Sequence, residues 1–299
     1  MTNGAPRLVR DDPAALEALS QVRVLYTDLD GTLVAPGGSV LADAGGAPSL
    51  IVAEQIVALS RAGLEAVPIS GRGRVQLREF TQLLGWNAYI AEAGGILVHG
   101  TGLDAEIRVD HGEWPDGTLP AGETPFAAIN RVRAAETLMQ AFPGRIEHYA
   151  PWQMDREVSL LLRGCLDTAK GQAVLDALPL PVDLVDNGML RSYGTLTCRD
   201  MPPHAYHVVP HGVSKSRAIA LDLAWRGLTR ANAAAIGDSA TDLEMADTVA
   251  VMALVGNAFA SAGVLDGLER TPRDNVWRTE GERTGGWAEF ARAWLEARR

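Results

Sequence analysis

The sequence predicts an α/β protein, with a parallel sheet covered by helices on both faces and an inserted α+β domain. Short apolar runs alternate with helical patterns from residue 22 to 94, and this alternation resumes over 213–297. The composition between these stretches is different, which indicates an insertion. We therefore expect a core domain formed by residues 1–102 and 207–299, and an inserted domain at 103–206.

Three strands and two helices are predicted in the first part of the core. Each strand is a short apolar run bounded by polar or turn-forming residues. The first helix has apolar residues at helical spacing, at Ile51, Ile56 and Leu59, and Gly63 suits its C-terminal cap. The predicted strands are 22–28, 64–70 and 87–94, and the predicted helices are 50–63 and 73–85.

The same alternation returns in the last third of the chain and closes with an amphipathic helix. That helix carries Trp287, Phe290 and Trp294 on one side. The predicted elements are the helices 213–227, 241–246 and 285–297 and the strands 231–238 and 248–253.

The middle of the chain begins with a stretch rich in Gly, Pro and acidic residues, at 111–125. Helices are predicted over 126–141 and 168–178, and strands over 156–164 and within 182–199. A mixture of helices and alternating strands over about 100 residues has the usual size of a domain. We therefore expect this region to form an independent α+β unit.

Composition and charge exclude several classes of partner. The formal net charge of −10 argues against a nucleic-acid or membrane-surface partner, since both need a basic patch. No apolar run approaches the roughly 18 residues of a membrane span, and the N-terminal stretch lacks the apolar core of a signal peptide. The only cysteines, Cys165 and Cys198, are expected to be reduced core thiols, with a disulfide left open. We therefore expect a cytoplasmic protein, whose oligomeric state the sequence leaves open.

Two carboxylates, Asp28 and Asp30, stand one residue apart in LYTDLDGTLV, where the first predicted strand ends. Alternate residues of an extended segment point to the same side, so we expect the pair to converge. In open α/β sheets, ligands bind at the edge where the strands end. Thr32 adds a hydroxyl beside them. The alternative is an ordinary turn, which Asp and Gly also favour.

A second acidic pair, Asp238 and Asp242 in IGDSATDLEMAD, follows another predicted strand. Carboxylates in this position are natural oxygen ligands of Mg²⁺, which usually binds one or two carboxylates and keeps water and substrate phosphate. The alternative is that these acids cap the short helix that follows.

Two further polar residues stand at element boundaries. Ser70 in PISGRGR follows a strand and precedes a glycine-rich turn, where backbone N–H groups can bind an oxyanion. Lys215 in HGVSKSRAIAL lies near the start of a helix, although lysines favour helix C-termini. For both residues the alternative is an ordinary structural or exposed position.

Taken in chain order, DLDGT, a strand-terminal Ser, a Lys and GDSATD resemble the four motifs of the haloacid dehalogenase (HAD) superfamily. The insertion between the second and third motifs resembles the C2-type cap of its Cof-type branch, which includes sucrose-phosphate and mannosyl-3-phosphoglycerate phosphatases. The resemblance implies a Rossmann-like core with an inserted cap. It also implies a Mg²⁺-dependent phosphatase that acts on a small phosphorylated metabolite, such as a sugar phosphate or a phosphorylated sugar acid.

The same resemblance implies roles for individual residues. Asp28 corresponds to the nucleophile that forms an aspartyl-phosphate, and Asp30 corresponds to the general acid and base. The implied phosphate-binding residues are Thr32, Ser70, Lys215 and Thr241, and the implied Mg²⁺ site comprises Asp28, the Asp30 carbonyl, Asp238 and the supporting Asp242. Cof-type proteins usually have Asn where this chain has Thr241.

Three residues of the insertion, Trp152, Arg156 and Ser159 in APWQMDREVSL, are candidates for contacting the non-phosphate part of the substrate. Packing within the insertion is the alternative for each. Two other functions also stay open, namely a sugar phosphomutase of the same superfamily and a phospho-accepting receiver or metabolite-binding regulator. Dehalogenases of the superfamily generally lack the second acid of the first motif, so Asp30 argues against that reaction.

Overall fold

The computed structural model describes residues 6–190 and 192–299. The strands in these ranges are β1 (Val24–Thr27), β2 (Glu65–Pro68), β3 (Ala88–Ala91), β4 (Ile96–His99), β5 (Glu106–Val109), β6 (Ile146–His148), β7 (Leu160–Gly164), β8 (Val182–Met189), β9 (His204–Pro210), β10 (Ala233–Gly237), β11 (Val251–Leu254) and β12 (Val276–Arg278). The α-helices are α1 (Pro13–Gln21), α2 (Ile51–Arg61), α3 (Arg74–Leu83), α4 (Pro125–Arg131), α5 (Ala134–Ala141), α6 (Thr168–Leu175), α7 (Lys215–Arg226), α8 (Ala240–Leu243), α9 (Ala262–Arg270) and α10 (Arg283–Glu296).

The chain divides into two compact units. The first comprises Met1–Ser70, Phe80–Tyr89 and Lys215–Arg299, and the second comprises Gly71–Glu79 and Ile90–Ser214. The predicted domain boundaries at 102/103 and 206/207 stay a prediction. Strand β9 spans the second of these positions and pairs with β7 and β8 of the second unit.

The first unit is built on a five-stranded parallel sheet in the order β12-β11-β10-β1-β2. Its central strands are apolar and buried on both faces, which is typical of parallel sheets covered by helices. Helix α10 packs against this sheet. The Nε1 of Trp287 donates to Thr27 Oγ1 at 3.0 Å, and the Nε1 of Trp294 donates to the Val22 carbonyl at 3.3 Å. The predicted α/β fold class is confirmed.

The second unit contains a four-stranded antiparallel sheet in the order β6-β7-β9-β8 and the antiparallel pair β4 and β5. Helices α4, α5 and α6 pack on the four-stranded sheet around a buried apolar cluster that includes Trp114, Ile129 and Leu162. This is the α+β insertion that the sequence predicts. None of the helices in the described ranges is both long and apolar enough to cross a membrane.

A predicted helix and a predicted strand of the insertion differ from the structure. The helix predicted over 126–141 is two helices, because Arg133 between α4 and α5 takes a left-handed φ of 60° and breaks the hydrogen-bond ladder. The strand predicted over 156–164 begins only at Leu160, since the N–H groups of residues 157–159 donate to the carboxylate of Glu92 instead of to a neighbouring strand.

The expectation of two reduced thiols is wrong in this structure, in which Cys165 and Cys198 form a disulfide. Cys165 follows β7, and Cys198 lies in the irregular segment between β8 and β9, where the sequence predicted further strand. The two half-cystines and Leu196 form a small buried apolar cluster. The disulfide joins residues 33 positions apart, a spacing that carries no pairing signal. Arg191, in the same predicted stretch, lies outside the described residues.

Candidate active site

The carboxyl ends of three neighbouring strands bring the predicted motif residues to one edge of the first unit's sheet. Strand β1 lies between β10 and β2, and Thr27 is in register with both Ile236 and Pro68. Asp28 therefore leaves the middle strand, and its N–H donates to the Ile236 carbonyl at 3.0 Å. Asp238 and Ser70 follow the two flanking strands. The parallel register thus gathers residues that are far apart in sequence.

The carboxylates of Asp28, Asp238 and Asp242 form a tight acidic cluster. One oxygen of each lies within 4.8 Å of the others. Lys215, the first residue of α7, donates from Nζ to Asp28 Oδ1 at 2.7 Å and to Asp242 Oδ1 at 2.6 Å. Its side chain is only 5% exposed, so the ammonium is held almost entirely by these two acids. The predicted Lys215 is therefore placed against the predicted acids.

Asp242 uses both of its oxygens to organise the loop after β10. Its Oδ2 accepts from the backbone N–H of Asp238 at 3.1 Å and of Ser239 at 3.0 Å, while Oδ1 accepts from Lys215. Ser239 also forms a reciprocal capping box with Asp242 at the start of α8. The capping alternative is thus correct for Asp242, and it coexists with the contact to Lys215. Both carboxylate oxygens of Asp242 already accept hydrogen bonds, so this residue supports the cluster.

Burial, and then neighbouring negative charge, raise the pKa values of Asp28 and Asp238. Burial, and then the charge of Asp242, raise the pKa of Asp28 to about 7 against the opposing effect of Lys215. Burial, and then the charge of Asp28, raise the pKa of Asp238 to about 8. Burial opposes the charge of Lys215, but Asp242 and Asp28 outweigh it and raise the pKa of Lys215 above its usual range. The site therefore has an excess of negative charge that a further cation would relieve.

The chain turns sharply after Asp28, and the turn brings two strand ends together. Gly31 has a φ of 94°, and a Cβ at this position would lie 2.2 Å from Asp238 Oδ2. Only glycine allows the Asp238 carboxylate to rest on this turn. Asp30 is exposed, whereas Thr32 is fully buried. The Thr32 hydroxyl is a buried polar atom with no hydrogen-bond partner among the described residues, whereas most buried polar atoms have one.

Two more predicted phosphate ligands lie in the first unit. Ser70 is buried just beyond β2, where the N–H of Ile69 donates to the Thr27 carbonyl at 2.8 Å. Thr241 lies in the first turn of α8, and its hydroxyl is 2.9 Å from the hydroxyl of Ser239. Both residues therefore flank the strand ends that carry Asp28 and Asp238.

The donor set fits a small divalent cation. Among the described residues, Asp28 Oδ2 and Asp238 Oδ1 take part in no hydrogen bond, while the other oxygen of each carboxylate is held in place. Carboxylate oxygens are the ligands that Mg²⁺ prefers, and Mg²⁺ needs only one or two of them from the protein. Asp28 and Asp238 can therefore supply direct ligands, and Asp242 can hold their surroundings.

The three candidates from the insertion lie in the second unit and are already engaged there. Arg156 and Ser159 are buried, and Arg156 Nη1 donates to the Gly71 carbonyl at 2.7 Å and to Ser159 Oγ at 3.3 Å. Ser159 also donates from Oγ to Glu92 at 3.0 Å. Trp152 is about half exposed. These contacts favour the packing alternative for Arg156 and Ser159, and a substrate role for the three residues stays a prediction.

Sequence reasoning missed two polar residues. Glu92, fully buried in the second unit, accepts four hydrogen bonds from residues 157–159, and its only signal was an acid near the end of a predicted apolar strand. Asn257 contacts Asp238 in the first unit, at a distance of 2.9 Å. An asparagine in a loop after a strand gave no signal of that contact.

A family model described as haloacid dehalogenase-like hydrolase matches residues 186–262, the segment that includes Lys215, Asp238 and Asp242. No curated protein sequence matches the chain.

Solved structures of the same architecture match most of the chain. The sucrose-phosphatase of Synechocystis sp. PCC6803, solved with sucrose and phosphate, has a TM-score of 0.61 at 14% identity over 92% of this chain and 98% of that one. A protein of Thermoplasma acidophilum has a TM-score of 0.61 at 17% identity over 93% and 99%. A phosphatase of the HAD superfamily from Bacteroides thetaiotaomicron has a TM-score of 0.55 at 18% identity over 93% and 96%. These likenesses show the fold, and together with the matched segment they confirm the resemblance to the HAD superfamily.

Proposed function

We propose that this HAD-like chain is a Mg²⁺-dependent phosphomonoester hydrolase that acts on a small phosphorylated metabolite. One observation carries the proposal: Asp28, Asp238 and Asp242 converge with Lys215 at the carboxyl edge of the parallel sheet. Phosphoryl transfer needs a positioned nucleophile and neutralisation of the phosphoryl oxygens, and this cluster can provide both.

In this proposal Asp28 is the nucleophile. One of its carboxylate oxygens forms a bond to phosphorus while the bond from phosphorus to the alcohol oxygen breaks, and Asp30 donates a proton to that leaving oxygen. A water molecule then attacks the aspartyl-phosphate and gives its proton to Asp30. The bond between phosphorus and Asp28 breaks, which releases phosphate and restores the Asp28 carboxylate and the protonated Asp30. The burial of Asp28 and the exposure of Asp30 suit these roles, since only the proton carrier must exchange with solvent.

Asp28, Asp238 and the backbone carbonyl of Asp30 would hold the Mg²⁺ ion, with Asp242 in support. When bound, the ion neutralises charge on the phosphoryl oxygens. Lys215 and the hydroxyls of Ser70, Thr32 and Thr241 would bind the remaining phosphoryl oxygens. The unpartnered hydroxyl of the buried Thr32 supports this assignment.

The metabolite is proposed to be a sugar phosphate or a phosphorylated sugar acid. Support for this class comes from the structural likeness to a sucrose-phosphatase that was solved with sucrose and phosphate. Trp152, Arg156 and Ser159 stay as candidates for recognising the sugar. A cytoplasmic location also stays a proposal. The Cys165–Cys198 disulfide argues against it, because disulfides are uncommon in cytosolic proteins.

The test is a phosphate-release screen over sugar and sugar-acid phosphates, with Mg²⁺ and with a chelator. We expect release by the wild type with Mg²⁺ only, and a loss of about a thousandfold or more for Asp28→Asn. The matched control is Asp266→Asn, which makes the same chemical change at an exposed position on α9 and should keep wild-type activity.

Three results would contradict the proposal. Equal release by Asp28→Asn would exclude Asp28 as the nucleophile. An isomerised sugar phosphate in place of free phosphate would indicate the phosphomutase alternative. A long-lived aspartyl-phosphate without turnover would indicate a receiver or regulator.

A further inference from the structure

We propose that Asn257 is a positioning residue that fixes the carboxylate of Asp238 for cation binding. Asn257 lies in the 3₁₀ turn Gly256–Ala260 that follows β11. Its Nδ2 donates to Asp238 Oδ2 at 2.9 Å and to the Gly31 carbonyl at 3.0 Å. One side-chain amide therefore joins the turn after β1 to the acid after β10. This role rests on the proposed Mg²⁺ site.

The orientation of the amide is fixed by a third contact. Asn257 Oδ1 accepts from the backbone N–H of Arg283 at 2.8 Å, at the first residue of α10. Because this N–H can only donate, the oxygen of the amide must face it, and the nitrogen must face Asp238 and Gly31. Both ends of the Asn257 amide have hydrogen-bond partners, which fixes the side-chain rotamer and the positions of the amide oxygen and nitrogen.

This arrangement fixes one carboxylate oxygen of Asp238 and leaves the other available. Its Oδ2 accepts from Asn257 Nδ2 and would lie only 2.2 Å from a Cβ at Gly31, so no side chain fits at that position. The other oxygen, Oδ1, takes part in no hydrogen bond among the described residues and stays available as a ligand. An N–H donor also stabilises the charged carboxylate, which is the form that binds a cation.

Asparagine is the residue type that this position requires. Aspartate would have nearly the same shape, but it would place a second carboxylate against Asp238 and would offer no donor. Alanine would remove all three contacts. Glutamine keeps the amide one methylene further out and can restore part of the contact. Hydrogen-bond partners of metal ligands typically contribute about 10- to 100-fold to metal affinity.

The experiment measures Mg²⁺ binding by calorimetry without substrate, for wild type, Asn257→Ala, Asn257→Asp and Asn257→Gln. We expect Asn257→Ala to weaken Mg²⁺ binding by about 10- to 100-fold, Asn257→Asp to weaken it at least as much, and Asn257→Gln to weaken it less. Phosphate release by the alanine variant should recover when Mg²⁺ is raised in proportion. Asn232→Ala is the matched control, because this asparagine caps a 3₁₀ turn of the same unit and makes no contact with the acids.

The possible failures can be told apart. Wild-type Mg²⁺ affinity in folded Asn257→Ala would overturn the positioning role and leave the proposed function intact. No Mg²⁺ binding by the wild type would overturn the proposed function and this role with it. If the alanine variant does not fold, the comparison of aspartate with glutamine at this position decides, and equal affinities in that pair would overturn the role.

Discussion

Replacing Asp28 with asparagine should stabilise the metal-free protein at alkaline pH while it removes the activity. Asp28 is buried beside Asp242 and Asp238, and its pKa is raised to about 7 from an ordinary value of 3.8. The unfolded chain therefore releases this proton at lower pH than the folded chain does. Ionisation of Asp28 thus lowers the free energy of unfolding as the pH rises from about 4 to about 7. Asparagine does not ionise, so the Asp28→Asn variant does not lose this part of the free energy of unfolding as the pH rises.

The magnitude follows from the difference between the two pKa values. About three pH units at about 1.4 kcal/mol each give an upper value of about 4 kcal/mol, of which about 2 to 3 kcal/mol develops between pH ~5 and pH ~8. Asp28 shares the cluster with Asp238, and its contact with Lys215 is weaker when the oxygen belongs to an amide. We therefore expect the advantage of the variant to grow by about 2 kcal/mol over this range.

The assay is urea unfolding in chelator at about pH 5 and about pH 8, followed by tryptophan fluorescence. Trp287 and Trp294 are buried against the same sheet and report on the first unit. A change of about 2 kcal/mol corresponds to a shift of the urea midpoint by about 1 M. Asp266→Asn is the control, and its difference from wild type should be the same at both pH values. Mg²⁺ should raise the unfolding midpoint of the wild type more than that of Asp28→Asn.

An equal shift of the urea midpoint at both pH values for Asp28→Asn would contradict this prediction. A variant that is less stable than the wild type at about pH 8 in chelator would also contradict it. Either result would mean that Lys215 compensates Asp28 fully and that the cluster has no excess charge for a cation to relieve.

Two predictions concern the second unit. Glu92→Gln should lower the free energy of unfolding by about 2 to 4 kcal/mol, because an amide nitrogen would face N–H groups that now donate to a buried carboxylate. The control is Glu136→Gln, on an exposed face of α5. Equal urea midpoints for the two variants would contradict the inferred role of Glu92. Removing the Cys165–Cys198 disulfide by alanine at both positions should cost about 3 to 4 kcal/mol, as expected for a closed loop of this length. Dithiothreitol should lower the thermal midpoint of the wild type and leave that of the double variant unchanged, and a wild type that does not respond to the reductant would indicate that the thiols are not bonded.

The elements predicted in the first unit have local signals, whereas α1, α9 and β12 of the same unit were not predicted. β1, β2 and β10 are short apolar runs that end in polar residues, and α10 shows its apolar residues at helical spacing. The signals in the second unit compete with tertiary contacts. The strand predicted from 156 starts at Leu160 because a carboxylate more than 60 residues earlier binds the backbone of residues 157–159. Such a contact between distant residues has no local signature.

Asp28, Asp238 and Lys215 were recognisable because each breaks a local rule, whereas Asp242 stands where a helix favours an acid and was singled out by the order of the motifs. A lysine in the first turn of a helix opposes the helix dipole, and acids directly after buried strands are costly to bury. In the structure each of these costs is offset by the others, since Lys215 bridges Asp28 and Asp242. A residue whose type is unfavourable for its local structure can therefore be recognised from the sequence as a candidate functional residue.

Asn257 is the opposite case, because its role has no signal in the sequence. An asparagine in a turn obeys every local preference, so nothing in the sequence separates it from other loop asparagines. Its role arises only from folding, when three loops and the start of α10 bring Gly31, Asp238 and Arg283 to its amide. Asp28, Asp238 and Lys215 can be found from sequence because they are locally unfavourable. The neutral groups that hold those charges in place are locally favourable, and they become visible only in the three-dimensional structure.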